Sequence, residues 1–235
     1  MDLNKLLTVV IPCKNESLNI QNILIDLNKQ HYNKDLKVIV ADSSDDLITK
    51  HYIWSESGKT IDLKLIDGGF PSQGRYNGAR LCDTDYVLFL DSDMRINNPN
   101  FLVEILNEII KKDADLLTCK VRTLDGRFNY VYKFFDVIQK LHRITGPFAL
   151  GGIMLFKKES YEKIGGFNPK DLFAEDYNLS RKIKSNKFLI SKNLIFTSSR
   201  RIQKKGISYM IWMMIKCFLN RNNRAFFEQH HNYWL

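Results

Sequence analysis

Two acidic side chains one residue apart, Asp91 and Asp93, follow an apolar run that ends at Leu90. Like charges this close repel each other, and each raises the pKa of the other. A divalent cation removes the conflict, since Mg²⁺ and Mn²⁺ prefer oxygen ligands from one or two carboxylates and substrate phosphates. A solvated turn is the other interpretation, because Asp and Ser are common in turns. The triplet Asp91-Ser92-Asp93 alone leaves both open.

The elements that would position these acids alternate between two patterns. Apolar, β-branched or alternating runs predict strands at residues 6–11, 36–41, 61–65, 86–90, 116–121, 151–156 and 188–197. Apolar residues at helical spacing predict helices after residues 15–17 and 98–100, along the face from Phe128 to His142, and at 159–164 and 173–183. This alternation predicts an α/β fold with a mostly parallel sheet flanked by helices.

Polar clusters follow three of the predicted strands. They are Asn15-Glu16, residues 42–46 and residues 91–93. In open α/β sheets, ligands bind in the crevice beyond the carboxyl ends of the strands. The sequence therefore predicts a binding site that these three clusters share.

Composition limits the class of protein. The 235 residues are enough for one core, and the net charge of +9 suits an anionic partner: a nucleotide pyrophosphate, an anionic membrane surface or nucleic acid. The four cysteines are far apart, which is typical of reduced thiols. Residues 1–5 lack the pattern of a signal peptide. We therefore expect a cytoplasmic protein.

Several motifs, in order and spacing, resemble those of the family 2 nucleotide-sugar glycosyltransferases, which have the GT-A fold. The resemblance covers roughly residues 7–185 and rests on these segments: V-V-I-P-C-K-N-E at 9–16, V-I-V-A-D-S-S-D-D at 38–46, G-R-Y-N-G-A-R at 74–80, Asp91-Ser92-Asp93, G-G-F at 165–167 and Glu175-Asp176. Ala41 stands where many members carry an additional Asp. The resemblance implies a single GT-A (Rossmann-like) domain over residues 1–235. We expect a nucleotide-sugar-binding half (1–97), an acceptor half (98–205) and a basic, aromatic tail (206–235).

The resemblance also implies an activity and its cofactor. The expected reaction moves a sugar from a nucleotide-diphosphate sugar to a hydroxyl group of a glycan or lipid-linked acceptor, with inversion and with Mn²⁺ or Mg²⁺. UDP-sugars are commoner donors in the family than GDP-sugars. Attack by a hydroxyl needs a base, and a departing diphosphate needs its charge neutralised.

Site residues are carried over from the family's motifs. Asp93 would bind the metal. Asp91 would contact either the ribose or, through a water molecule, the metal. Asp176 would be the base, with Glu175 orienting the acceptor or backbone. The expected contacts to the nucleotide sugar are Pro12, Glu16, Asp42, Arg75, Asn77, Asp91, Ser92, Arg200 and Arg201.

Each of these residues also has a purely structural interpretation. Asp42 could cap a helix, and Glu16 or the pair Glu175-Asp176 could be acids that the helix dipole favours. Arg75 could be solvated, and Asn77 could form a turn. Arg200 and Arg201 could lie in a solvated basic turn or contact anionic lipid. These alternatives stay open at the level of sequence.

The sequence also leaves open whether the chain contacts a membrane and whether it belongs to one of two other classes of protein. Residues 207–219 are apolar but too few to span a bilayer, so they predict a helix that docks on the domain or, over 207–224, on a membrane surface. A nucleotidyltransferase acting on sugar phosphates would need a glycine-rich loop after the first strand, and Cys13-Lys14-Asn15-Glu16 has no glycine. A non-catalytic basic module binding lipid or nucleic acid is the second rival. Because no nucleic-acid-binding motif is present, we expect no nucleic acid partner.

Overall fold

The computed structural model describes residues 6–31, 35–141 and 145–231. The N-terminal residues 1–5 and His142 of the predicted helical face lie outside these ranges. The strands are β1 (Leu7–Cys13), β2 (Leu36–Asp42), β3 (Ile61–Asp67), β4 (Tyr86–Leu90), β5 (Met94–Arg95), β6 (Leu116–Thr123), β7 (Ile153–Lys157) and β8 (Phe188–Thr197). The helices are α1 (Ser17–Asn28), α2 (Leu47–Ser55), α3 (Pro71–Arg80), α4 (Phe101–Lys111), α5 (Asn129–Lys140), α6 (Lys158–Lys163), α7 (Glu175–Ser180), α8 (Arg200–Lys205), α9 (Ile207–Leu219) and α10 (Arg224–Phe227).

The eight strands form one sheet in the order β3-β2-β1-β4-β7-β6-β8-β5. Strands β1, β2, β3 and β4 pair in parallel, as does β6 with β8. Strand β7 is antiparallel to both of its neighbours, β4 and β6, and β5 is antiparallel to β8. The predicted α/β fold is confirmed, and its sheet is mixed: among the described strands, four pairings are parallel and three are antiparallel. A short apolar run that is buried on both faces does not encode the direction of its strand, so the sequence of β7 could not show this.

The core lies in two layers, one on each face of the sheet. Side chains alternate between the faces along a strand, so Val9 and Leu88 pack with α1 and α4 while Val10 and Phe89 pack on the side of α3 and α6. Helix α3 lies very close to β1, because a Cβ on Gly78 would be 2.4 Å from Val10 Cγ1. A Cβ on Gly74 would likewise lie 3.2 Å from Ala41 Cβ and 3.5 Å from Pro12 Cβ, so α3 packs over β1 and β2.

Helix α9, near the C-terminal end of the described residues, packs on the domain through two patches. Met213 and Cys217 lie in a cluster with Phe173, Phe226 and Phe227. Met210 and Met214 lie beside Val131 and Phe135 of α5, and Ile202 of α8, in a second cluster. Thus one face of α9 is docked. Within the described ranges, no helix is long and apolar enough to cross a membrane.

One sheet contains strands from both predicted halves of the chain, and the division at residue 97 stays a prediction. Most element bounds agree with the sequence patterns within a few residues. The sequence patterns did not predict α2, α3, β5, α8 or α10. Among the predicted elements, the largest difference is the helix at 173–183, of which Glu175–Ser180 is helical. The residue before it, Ala174, has φ 47° and ψ 37°, a left-handed conformation that excludes Ala174 from the helix.

Candidate active site

The acidic triplet lies in a tight turn between β4 and β5. The Asp91 amide donates to the Gly152 carbonyl at 3.1 Å, and the Met94 amide donates to the Asp91 carbonyl at 3.2 Å. Asp91 keeps 24% of its side chain exposed, whereas Ser92 is buried. Burial and the neighbouring Asp91 carboxylate raise the pKa of Asp93 to about 6, although Arg201 opposes them. The triplet therefore concentrates negative charge in a partly desolvated turn.

Arg75 is the centre of the charge network. Its side chain is 1% exposed, its Nη1 donates to Glu175 Oε1, and its Nη2 donates to Asp91 Oδ1 at 2.5 Å. The guanidinium also lies over the Phe167 ring, 5.4 Å from its centroid. Burial disfavours the charged form, but Asp91, Glu175 and Asp176 outweigh burial and raise the pKa of Arg75. Arg75 therefore links the acidic turn after β4 to the acidic pair of α7.

The buried position of Arg75 bears on the roles predicted for Glu175 and for Arg75 itself. Glu175, expected to orient the acceptor or backbone, is 3% exposed and hydrogen-bonded to Arg75. Burial raises the pKa of Glu175 to about 7, with Arg75 opposing the shift. A diphosphate contact for Arg75 stays a prediction, and the two carboxylates already occupy Nη1 and Nη2. In the structure, Arg75 and Glu175 both belong to one buried ion-pair network.

Asp176 lies beside the chain segment that precedes β7. Its Oδ1 accepts from the Tyr177 amide at 2.7 Å. A Cβ on Gly151 would lie 2.7 Å from Asp176 Oδ2, so the missing side chain at 151 provides space for the carboxylate. Burial raises the pKa of Asp176. A carboxylate with a raised pKa is a stronger base once it is deprotonated.

The loop after β2 contains a carboxylate with one unused oxygen. Asp42 Oδ1 accepts from the Ser44 amide at 3.0 Å and from Ser44 Oγ at 2.6 Å. Asp42 Oδ2 is buried and has no hydrogen-bond partner within the described residues. The helix-cap interpretation of Asp42 is wrong, because Asp46 caps α2 by accepting from the Thr49 amide. The unused oxygen suits a ligand that donates a hydrogen bond.

An ion pair joins the first loop to the C-terminal part of the chain. Glu16 Oε1 lies 2.5 Å from Arg200 Nη2, and Glu16 Oε2 accepts from Asn19 Nδ2 at 2.5 Å. Both members of the pair border a cavity of about 980 Å³. The predicted residues Glu16 and Arg200 are thus brought together, although they are far apart in the chain.

Two cavities adjoin at the acidic turn. The larger cavity, of about 980 Å³, is lined by residues that include Pro12, Glu16, Ser43, Phe70, Ser92, Arg200, Lys204, Lys205 and His230. The smaller cavity, of about 440 Å³, is lined by Glu175, Asp176 and many apolar side chains of α5 and α9. Arg75, Asp91, Asp93 and Arg201 line both. A reaction between ligands in the two cavities would occur at these shared residues.

Asp42 lines neither of the two cavities, although its neighbour Ser43 lines the larger one. Asn77 is also outside the cavity walls. It lines neither cavity, and its Oδ1 accepts from Gln73 Nε2 at 2.8 Å within α3. Residues two apart on a helix do not share a face. Because Arg75 faces the buried network, Asn77 points elsewhere.

The donor set for a divalent cation consists of two carboxylates. Within the described part of the chain, no group of three or more His, Cys, Asp or Glu side chains could hold a metal ion. Asp91 Oδ1 is occupied by Arg75, which leaves the second oxygen of Asp91 and the carboxylate of Asp93. Mg²⁺ is commonly held by one or two carboxylates with substrate phosphates completing its shell. The residues present fit that pattern.

Sequence reasoning missed several residues of the site. Gly151 leaves space for Asp176, Phe167 covers Arg75, and Ala174 turns the chain into α7. Lys204, Lys205, His230 and His231 line the larger cavity. The basic run 200–205 and the Gly151-Gly152 pair were visible signals. No signal in the sequence indicated that His230 lies in the cavity wall, where its ring centroid is 4.8 Å from that of Phe70.

The mixed sheet, the acidic turn after β4 and the acidic start of α7 define the class as a GT-A glycosyltransferase. The chain belongs to Glycosyl transferase family 2, whose model matches residues 8–165. It is an enzyme of that class. Membership favours the glycosyltransferase prediction over a nucleotidyltransferase or a non-catalytic module.

Relatives and solved structures agree with this assignment. The chain is 23% identical over 192 residues to the pre-mycofactocin glycosyltransferase of Mycobacterium tuberculosis, covering 73% of this chain and 37% of the relative. It is 24% identical over 180 residues to the 4,4'-diaponeurosporenoate glycosyltransferase of Staphylococcus aureus, covering 69% and 47%. The chain thus spans less than half the length of these two relatives. The structure of the mannosyltransferase PcManGT from Pyrobaculum calidifontis, in complex with GDP-Man and Mn²⁺, has a TM-score of 0.67 at 19% identity, covering 89% of this chain and 64% of that one.

Proposed function

We propose that the chain transfers a sugar from a nucleoside-diphosphate sugar to a hydroxyl group of an acceptor, by a single displacement with inversion. The observation that carries this proposal is the meeting of the two cavities. Asp91 and Asp93 line both cavities, and Asp176 lines the smaller cavity. Donor and acceptor held in separate cavities would meet between metal-binding carboxylates and a base.

The larger cavity suits the donor. Arg200, Arg201, Lys204 and Lys205 supply positive charge for a diphosphate, and Arg makes bidentate contacts that Lys cannot. Asp42 lies next to Ser43 of the cavity wall, and its buried Oδ2, which has no hydrogen-bond partner within the described residues, would accept from the base or ribose. On the basis of the family resemblance, we propose that the donor is a UDP-sugar in preference to a GDP-sugar. The GDP-Man complex of PcManGT keeps GDP-sugars among the donors to test.

Asp176 would take the proton of the acceptor hydroxyl as the hydroxyl oxygen attacks the anomeric carbon. Arg75 and Glu175 would keep the acidic pair of α7 fixed relative to the acidic turn, because Arg75 contacts both elements. Asp93, with Asp91, would hold Mn²⁺ or Mg²⁺. When bound, that ion supplies positive charge against the charge that develops on the departing diphosphate.

The test uses UDP- and GDP-sugars with Mn²⁺ or Mg²⁺ and measures release of the nucleoside diphosphate. We expect Asp93→Ala to weaken donor binding. Asp176→Asn should retain donor binding and lose transfer by about 10²- to 10⁴-fold, as expected for removal of a general base. Asp62→Ala, an exposed acid of β3, is the matched control and should match the parent protein. Full activity in both site variants would contradict the assignment.

A further inference from the structure

The walls of the smaller cavity along α5 and α9 are apolar, which is unusual for a sugar-binding site. Its sides come from α5, through Tyr132, Phe135 and Ile138, and from α9, through Met210 and Met214. Side chains of both helices share one apolar cluster with Ile202. Flexible, polarisable methionine side chains adapt to apolar ligands of irregular shape. The long sides of this cavity therefore favour an apolar occupant.

Charge in the smaller cavity is concentrated where the two cavities adjoin. Its acidic and basic lining residues are Arg75, Asp91, Asp93, Glu175, Asp176 and Arg201. Four of these also line the larger cavity, and Glu175 is held by Arg75. Burying sugar hydroxyls among apolar side chains would leave many hydroxyls without partners, at a cost in free energy. A hydroxyl is well accommodated at the charged end and poorly along the sides.

Two apolar residues of the cavity wall are also exposed on the protein surface. Ile215 and Phe218 line the smaller cavity, and they are 46% and 41% exposed. An occupant that lies along α5 and α9 can therefore extend out of the protein between apolar side chains. A polar glycan would gain little from such an exit.

We propose that the acceptor is an amphiphile with a hydroxyl-bearing head and a long apolar chain, and that the chain occupies the smaller cavity. This inference rests on the proposed function, because it places the hydroxyl at Asp176. The apolar chain lies between α5 and α9 and leaves past Ile215 and Phe218. The acceptor class is thereby lipid-like, and a free polar glycan is excluded.

The first experiment measures binding of two probes that differ only in chain length, n-dodecyl β-D-glucoside below its micelle concentration and methyl β-D-glucoside. Equilibrium dialysis should show binding of the dodecyl probe at least about tenfold tighter, since each buried methylene adds to the affinity. Equal binding of the two probes would overturn the proposal.

Variants locate the bound chain. Ile138→Glu places a charge in the apolar wall and should weaken dodecyl glucoside binding by about tenfold or more. Met214→Gln is a milder second variant that should weaken it in the same direction. Ile48→Glu, the same change at an exposed site of α2 that lines neither cavity, should leave binding unaltered. Equal weakening by Ile138→Glu and Ile48→Glu would place the chain elsewhere.

A third measurement separates this inference from the proposed function. Donor binding and slow donor hydrolysis are measured with metal and without acceptor, in the parent protein and in Ile138→Glu. Retained donor binding in Ile138→Glu shows that the variant is folded. If the donor is bound and hydrolysed while the dodecyl probe shows no preference, the acceptor inference fails alone. If no donor binds the parent protein, the proposed function fails.

Discussion

At the scale of single residues, Arg75 has the clearest structural task. It is a fully buried cation between Asp91 and Glu175, and its Nε has no hydrogen-bond partner within the described residues. Removing one partner of a buried ionic network leaves uncompensated charge behind. Two of the carboxylates that the sequence predicts for chemistry, Asp91 and Glu175, are therefore held by one buried arginine.

We expect Arg75→Met to lower the free energy of unfolding by about 3–5 kcal/mol, because two buried carboxylates lose their cation. Arg80→Met removes an exposed arginine of the same helix and should change the free energy of unfolding by less than about 0.5 kcal/mol. Urea unfolding monitored by circular dichroism measures both. Similar losses in the two variants would show that the Arg75 network contributes little to stability.

At the scale of elements, the approach of β7 to α7 sets the position of the proposed base. The chain enters β7 through Gly151 and Gly152, and α7 begins after the left-handed Ala174. A left-handed alanine costs conformational energy that the surrounding structure must offset, and such residues cluster at functional sites. Together these features place Asp176 against the backbone of residue 151.

We expect Gly151→Ala to lower the rate of sugar transfer by about 100-fold, because the new Cβ would lie 2.7 Å from Asp176 Oδ2 and displace the carboxylate. Stability should change less than transfer, because the three nearest atoms all belong to the Asp176 side chain and none to the backbone. Transfer is measured as nucleoside diphosphate release at saturating donor. Donor binding, measured by calorimetry, serves as the control and should be retained. A transfer rate equal to that of the parent would show that Asp176 need not occupy this position.

At the scale of the whole molecule, one surface combines exposed apolar and basic side chains. Helix α9 exposes Trp212, Ile215, Phe218 and Leu219, although its other face is docked on the domain. Lys216 Nζ lies 3.7 Å from the Trp212 ring centroid, and the Arg221 guanidinium lies 4.4 Å from that of Phe218. Aromatic rings beside cations are typical of helices that lie on anionic membrane surfaces. The two predicted roles of residues 207–224, docking on the domain and contacting a membrane, are therefore compatible.

We expect the protein to cosediment with phosphatidylcholine vesicles that contain phosphatidylglycerol, and binding should decrease as salt screens the lipid charge. The double variant Trp212→Glu with Leu219→Glu should bind these vesicles more weakly. The matched control is Leu47→Glu with Ile48→Glu, which changes two exposed apolar residues of α2. No binding to anionic vesicles, or equal weakening by both double variants, would contradict a membrane role for α9.

The sequence by itself predicted seven of the strands and the helices α1, α4, α5, α6, α7 and α9, but not β5, α2, α3, α8 or α10. The type of chemistry followed from the family resemblance. Apolar runs followed by acids predicted β1, β2 and β4 with their polar ends, because burial periodicity and turn composition are local properties. The strand ends also predicted that Glu16, Asp42, Asp91 and Asp93 belong to one site, and the family resemblance added Asp176.

Only the tertiary structure decided which of these residues touch. The direction of β7, the ion pair of Glu16 with Arg200 and the bridge of Arg75 to Glu175 join residues distant in the chain. Local patterns carry no information about such partners. They depend on how helices pack across the sheet, as the close approach of α3 to β1 at Gly78 illustrates.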